Sequence, residues 1–340
     1  MKVIFSGGGT GGHIYPALAI LRKLQELNLL DKVLYVGTNH GLESKIVPDL
    51  KIPFKSLNIQ GFKRSLSFYN LKTIFLFLKD IVKSRKIIAN FHPDIVIGTG
   101  GYVCAPIVFE AHQMHIPTLI HEQNSVPGIT NKFLAHFVDK IAITFPETES
   151  YFPSNKVILT GNPRSQEVSS FQKNDILKSY GLNDNIPTVM VVGGSQGADK
   201  MNNSVINAIN KFNKCKYQIL FVTGASHFQN IISNLKNDTI NSNIKIVPYV
   251  NNMPKILPNL SLIVSRAGAT SIAEITALGI PSILIPSPYV TNNHQVKNAK
   301  VLSNHNATKI IYENQLNSDL LFNTINYLMN NEDVRKKIGI

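Results

Sequence analysis

The chain has 340 residues, 44% hydrophobic and 16% charged, a composition that excludes a disordered protein and a length that predicts two domains, each large enough for its own core. Its 34 Lys and Arg against 21 Asp and Glu give a formal charge of +13, which calls for a negative partner: a phosphorylated substrate, an anionic lipid surface or nucleic acid. Nucleic acid ranks last, because no RNA-binding or zinc-finger signature accompanies the charge.

Cys104 and Cys215 belong to no CxxC pair or Cys/His cluster, so neither a disulfide framework nor a zinc site is implied. The apolar residues before the first glycines are too few for a signal-peptide core, and no apolar run approaches the ~20 residues of a membrane span. A cytoplasmic, non-spanning protein is expected.

In chain order, Lys2-Val3-Ile4-Phe5 reads as a strand, 7–12 as a glycine turn and 16–30 as a helix, with Pro16 suited to its first turn. A strand over 33–37 follows, then a helix over 70–91, a buried strand over 93–98 and another over 116–121. Strands alternating with helices predict a parallel α/β sheet. The second half opens the same way, with a strand at 188–192, a glycine turn at 193–198 and a helix over 200–212. The order strand, glycine turn, helix, strand recurs in HPDIVIGTGG…IPTLI and in LPNLSLIVSRAGA…GIPSILI. This internal duplication predicts two Rossmann-like lobes, joined near 160–163, with parallel sheets facing an interdomain cleft. The lobes are placed at 1–162 and 163–340, with the last helix free to pack back on the first lobe.

Gly7, Gly9 and Gly12 satisfy the dinucleotide pattern GxGxxG between strand and helix. That pattern expects an acidic residue at the tip of the second strand, but Val36-Gly37-Thr38-Asn39-His40 has none. A Rossmann-type oxidoreductase is therefore the alternative reading. The glycines retain a physical meaning regardless, since they let backbone approach a ligand closely and put helix amides beside negative charge. Four such turns, at 7–12, 98–101, 193–197 and 266–268, fall on the ligand-binding edges of the predicted sheets. No Walker lysine and no Asp-x-Asp triplet occur, so metal-held pyrophosphate is not signalled. Leaving-group charge falls to helix ends and cationic side chains.

The stretches GGGTGGH (7–13), GTGGYV (98–103), HEQNSVPG (121–128), TGNP (160–163), GGSQGA (193–198), SRAGATSIAE (265–274) and NNHQVKNA (292–299) resemble, in order and spacing, the MurG family of glycosyltransferases. The resemblance runs over essentially the whole chain. It implies a GT-B fold with an N-terminal acceptor lobe and a C-terminal donor lobe. The implied reaction is inverting transfer of N-acetylglucosamine from UDP-N-acetylglucosamine to the muramyl 4-hydroxyl of lipid I, with no cofactor and no metal, at the cytoplasmic face of the bacterial cell membrane. Donor contacts carried over by the resemblance are Thr10, Gly11, Gly12, Asn124, Ser195, Val250, the segment 269–274 with Ala269, Thr270, Ser271 and Glu274, and Gln295. Glu274 is expected to accept from the ribose hydroxyls. In the common family pattern the arginine follows Gly-Asn-Pro-Val; here Arg164 follows Pro163 directly, which leaves its donor contact open.

Such a reaction needs a base for the acceptor hydroxyl. His13, at the start of the first helix, is the first candidate, because imidazole changes protonation state near neutral pH; it could equally cap the helix or orient substrate. Glu122 is the second candidate, since burial can raise a carboxylate's pKa, and its other reading is a partner that positions the Asn124 loop. Gly100, Gly101 and Tyr102 are placed against the lipid pyrophosphate, through backbone amides. In the 70–91 helix, Ile74, Phe75, Leu78, Ile81 and Val82 share one face. Leu76, beside Phe77, falls among Lys72, Lys79 and Lys83 on another; this face either meets the headgroups of an anionic bilayer, with Phe62, Lys63, Arg64 and Leu66 extending the patch, or is the solvated lysine face of an ordinary core helix.

Overall fold

The computed structural model describes residues 1–61, 68–194, 197–235, 240–290 and 293–339, without the side chains of Phe68 and Tyr69. The chain divides into two compact units, Met1–Arg164 and Ser165–Ile340. The first runs β1 (Lys2–Ser6), α1 (Gly11–Glu26), β2 (Lys32–Thr38), α2 (Glu43–Asp49), β3 (Phe54–Leu57), α3 (Phe68–Phe91), β4 (Ile95–Gly98), α4 (Cys104–Gln113), β5 (Thr118–Glu122), α5 (Ile129–Leu134), β6 (Lys140–Ile143) and β7 (Val157–Leu159). The linking helix is α6 (Pro163–Ser169). The second unit opens with β8 (Thr188–Val192), α7 (Asp199–Asn207), α8 (Ile209–Phe212), β9 (Gln218–Val222), α9 (Ala225–Asn234), β10 (Ile244–Val247) and α10 (Met253–Ile256). It continues with β11 (Leu262–Ser265), α11 (Ala269–Ala277), β12 (Ser282–Leu284), α12 (His294–Asn304), β13 (Lys309–Ile310), α13 (Ser318–Asn330) and α14 (Glu332–Ile338).

Both sheets are parallel, in the orders β3-β2-β1-β4-β5-β6-β7 and β10-β9-β8-β11-β12-β13. Their strands are apolar on both faces because helices cover both. Along β1, Val3 and Phe5 enter one core while Ile4 enters the other. The strand order reverses between β1 and β4 in the first sheet and between β8 and β11 in the second. Loops leaving two neighbouring strands in opposite directions open a crevice there, which is where open α/β sheets bind ligands. The turns after β1, β4, β8 and β11 are the four glycine turns singled out in the sequence. The last helix, α14, adds Ile338 to the core of the second unit.

The helix expected over 200–212 divides at Ala208 into α7 and α8, and two further elements differ from expectation. Helix α1 begins at Gly11 rather than at residue 16, because Thr10 takes an extended N-cap conformation and the glycines form the first turn. Pro16 therefore lies inside the helix. The second difference is the facing of α3. Leu71, Ile74, Phe75, Leu78 and Val82 are exposed, whereas Thr73, Asp80, Ser84 and Ile88 are buried. Phe77 packs on the core and meets Phe109 of α4 and Phe133 of α5, with ring centroids 6.5 and 6.1 Å apart. The expected Leu76–Phe77 surface is thus half-buried, and the helix turns its apolar stripe outward. Phe62, Lys63, Arg64 and Leu66 lie outside the described residues.

Candidate active site

In the first unit, the turns after β1 and β4 are bonded to each other. The Gly8 N–H donates to the Gly100 carbonyl (3.2 Å), and the Thr99 hydroxyl donates to the His13 carbonyl (2.7 Å). Gly100 (φ +108°) and Gly101 (φ +85°) hold backbone conformations that side chains rarely adopt. A Cβ at Gly100 would strike the His13 ring, and one at Gly101 would meet the Gly8 carbonyl oxygen at 2.5 Å. Thr10, Gly11, Gly12, His13, Gly100 and Gly101 are therefore one constellation. At the α1 N-terminus the His13 and Ile14 N–H groups donate to the Thr10 carbonyl (3.1 and 3.3 Å), while the amides of Gly11 and Gly12 have no intrahelical carbonyl to meet, as at any helix N-terminus suited to an anion. Tyr102 is one-third exposed and packs beside Gly61.

His13 Nδ1 lies 2.8 Å from the Gly8 carbonyl oxygen. A carbonyl can only accept, so Nδ1 carries the proton and Nε2 is the nitrogen left with a lone pair. The Thr10 hydroxyl stands 3.4 Å from the same Nδ1. Beneath the loop lies a residue the sequence reading passed over. Glu43, fully buried at the start of α2, accepts from the Gly9 N–H (3.0 Å) at one oxygen and from the Thr38 N–H (2.9 Å) and hydroxyl (2.7 Å) at the other. Its signal was available: an acidic residue in the first turn of the helix after the second strand. The acid does not reach outward as a ribose ligand would, which weakens the dinucleotide reading.

Glu122 is differently placed. One carboxylate oxygen accepts from the Asn124 N–H (3.0 Å) and side-chain amide (3.2 Å), the other from the Gly128 N–H (3.1 Å) and the Asn131 amide (2.8 Å). Four donors hold a buried carboxylate as an acceptor and fix the Asn124 loop. Asn131 is a second residue the sequence reading missed. Arg164 is buried, its guanidinium 5.2 Å from the Tyr15 ring centroid. Burial pushes the Cys104 thiol up to about 11, so it stays protonated and unreactive.

His121, wholly buried, donates from Nε2 to the Gly161 carbonyl (3.0 Å) and accepts at Nδ1 from the Gln123 amide (3.0 Å). Burial lowers its pKa from the ordinary 6.5, against the opposing pull of the Gly161 carbonyl and Glu122. The unfolded chain therefore takes up this proton first as pH falls. Stability is complete above 6.5 and declines as pH drops through the lowered folded value. A thermal melt of wild type should lose Tm on going from pH 7 to about pH 5, and His121→Gln should show a smaller loss. Equal slopes would remove His121 as the titrating group.

In the second unit, α11 starts directly after the turn that follows β11. Ala269 and Glu274 are buried, Thr270 and Ser271 half-buried. The Thr270 hydroxyl oxygen is buried without a partner among the described residues, at a helix N-terminus where amides attract anions. Gln295, at the start of α12, accepts from the Ser287 N–H (2.9 Å), and Val250 is buried. Arg266 donates to the Ile285 carbonyl (3.1 Å) and pairs with Glu313, both largely buried. Its charge is thus already matched, a pairing across 47 residues that the sequence did not reveal. Ser195 lies outside the described residues. Among the described residues, no three His, Cys, Asp or Glu side chains cluster as a metal site.

The family model described as the glycosyltransferase family 28 N-terminal domain matches residues 3–143, and the corresponding C-terminal domain matches 188–337. The chain is 54% identical over 339 residues, covering 100% of itself and 93% of the relative, to a Lactiplantibacillus plantarum protein named UDP-N-acetylglucosamine–N-acetylmuramyl-(pentapeptide) pyrophosphoryl-undecaprenol N-acetylglucosamine transferase. It is 50% identical to the Bacillus pumilus protein of the same name, covering 98% of this chain and 92% of that one. Among solved structures it is similar to Acinetobacter baumannii MurG, with TM-score 0.76, 29% identity and coverage of 99% and 93%. The S. aureus MnaA–UDP structure shares the fold, at TM-score 0.71 and 13% identity over 100% and 91% of the two chains. None of these supports the oxidoreductase alternative. The chain has the two-lobed GT-B fold and belongs to glycosyltransferase family 28.

Proposed function

We infer that this enzyme transfers N-acetylglucosamine from UDP-N-acetylglucosamine to the 4-hydroxyl of the muramyl sugar of lipid I, forming lipid II in peptidoglycan synthesis. The observation that carries the reading is 54% identity over the whole chain to a transferase of that name. The first unit acts on the acceptor. His13 Nε2 takes the proton of the 4-hydroxyl as its oxygen attacks the anomeric carbon from the face opposite UDP. The bond from that carbon to the pyrophosphate oxygen breaks, its electron pair leaves with UDP, and the configuration inverts. Glu122 holds the Asn124 loop, and the Gly100–Tyr102 turn meets the lipid pyrophosphate.

The second unit holds the donor. The α11 N-terminus, with Thr270 and Ser271, offers amides and hydroxyls to the leaving pyrophosphate, and Glu274 accepts from the ribose hydroxyls. No helix among the described residues is long and apolar enough to cross a membrane. The α3 stripe of Leu71, Ile74, Phe75, Leu78 and Val82, with Lys72 and Lys79 exposed beside it, docks the enzyme on the anionic cytoplasmic surface of the cell membrane, where its lipid-linked acceptor resides. Incubation with UDP-[14C]N-acetylglucosamine and a lipid I analogue should yield labelled lipid II analogue. No transfer by an enzyme that binds a nicotinamide dinucleotide instead would overturn the reading.

A further inference from the structure

The two bonds that converge on the first glycine turn share one peptide group. The Gly9 N–H donates to Glu43 Oε2 (3.0 Å), and the carbonyl of that same Gly8–Gly9 peptide accepts from His13 Nδ1 (2.8 Å). Hydrogen bonds in series through a polarisable amide strengthen one another in a low-dielectric setting. A carboxylate drawing on the N–H pushes electron density onto the carbonyl oxygen, which becomes a better acceptor for the imidazole proton. We propose that Glu43 is a positioning residue for His13, acting through the Gly8–Gly9 peptide to hold the ring as the Nδ1–H tautomer with the Nε2 lone pair free. The inference rests on His13 as the base.

The surroundings are built for this chain of groups. Side chains at Gly8, Gly37 or Gly41 would each collide with Glu43, although they come from the β1 turn, from β2 and from the β2–α2 turn. Gly100 and Gly101 leave room for the imidazole and for the Gly8 carbonyl. The other carboxylate oxygen is tied by the two Thr38 donors (2.9 and 2.7 Å), which aims Oε2 at Gly9. Glu43 itself is wholly buried. It reaches substrate only through the peptide.

A glutamine cannot reproduce this arrangement. Its single carbonyl oxygen must face either Thr38 or Gly9, and its amide then sets donor against donor at the other. Two-bond 1H–15N spectra of the wild type should place the His13 proton on Nδ1. In Glu43→Gln that signal should collapse toward a tautomer mixture, with kcat down about 10- to 100-fold and KM for UDP-N-acetylglucosamine little changed. Thr38→Val removes one bond to Glu43 but leaves the Gly9 bond, and should keep the Nδ1–H signal.

A wild-type His13 protonated on Nε2 overturns the proposal without any variant. So does a folded Glu43→Gln that retains both the tautomer and kcat, and so does a Thr38→Val that loses the signal equally, which would make Glu43 a staple of the loop. Full activity in His13→Ala would instead remove the base assignment, and the tautomer measurement would then report on the ring alone.

Discussion

His13→Ala is expected to lower kcat for transfer to a lipid I analogue by about 10²–10⁴-fold, the usual contribution of a positioned acid–base group, with KM for UDP-N-acetylglucosamine little changed. The geometry gives the reason. The ring is held by a 2.8 Å bond to a carbonyl of its own turn and lies against Gly100, so its Nε2 is presented with a defined direction. Removing it leaves the amides of Gly11 and Gly12 in place, because those belong to the α1 backbone. The loss should therefore fall on the chemical step and not on binding. Glu122 competes poorly for the role, since four donors already occupy its two oxygens. Steady-state kinetics with labelled donor decide the matter: wild-type kcat in the variant would remove His13 as base.

The second large effect concerns α3. Phe75 and Leu78 are 66% and 57% exposed, and burying such side chains fully is worth about 1.5–3 kcal/mol each. Two aspartates in their place also set two negative charges against an anionic surface, at about 1 kcal/mol each. Phe75→Asp/Leu78→Asp should bind anionic vesicles at least about 10²-fold more weakly in a sedimentation assay, at unchanged Tm. Leu76→Asp/Phe77→Asp should behave in the opposite sense. Phe77 packs against Phe109 and Phe133, so a buried carboxylate there costs stability. Equal vesicle binding by wild type and Phe75→Asp/Leu78→Asp would rule out the stripe as a membrane surface.

The alternation of strand, glycine turn and helix was legible in the sequence for a physical reason. Strands buried on both faces are continuous apolar runs, such as Thr188-Val189-Met190-Val191-Val192, and tight turns at the binding edge need glycine. The constellation of Thr10, Gly11, Gly12 and His13 was local in the chain and could be read directly. The facing of α3 could not be, because the helix carries apolar residues on more than one side. The contacts of Phe77 with α4 and α5 decide which side goes in, and they leave Thr73, Asp80 and Ser84 inside while Phe75 and Leu78 stay outside.

The partnership of Glu43 with Gly9 was equally hidden. It joins residues 34 apart through space left by three glycines, and a search for an acid at the tip of β2 ends at His40. By itself, then, the sequence determined where each glycine turn falls, since backbone conformation and apolar patterning are local. Only the tertiary structure decided what stands behind the first turn. Burial removed water from Glu43, and the peptide bonded to it is the one that holds His13.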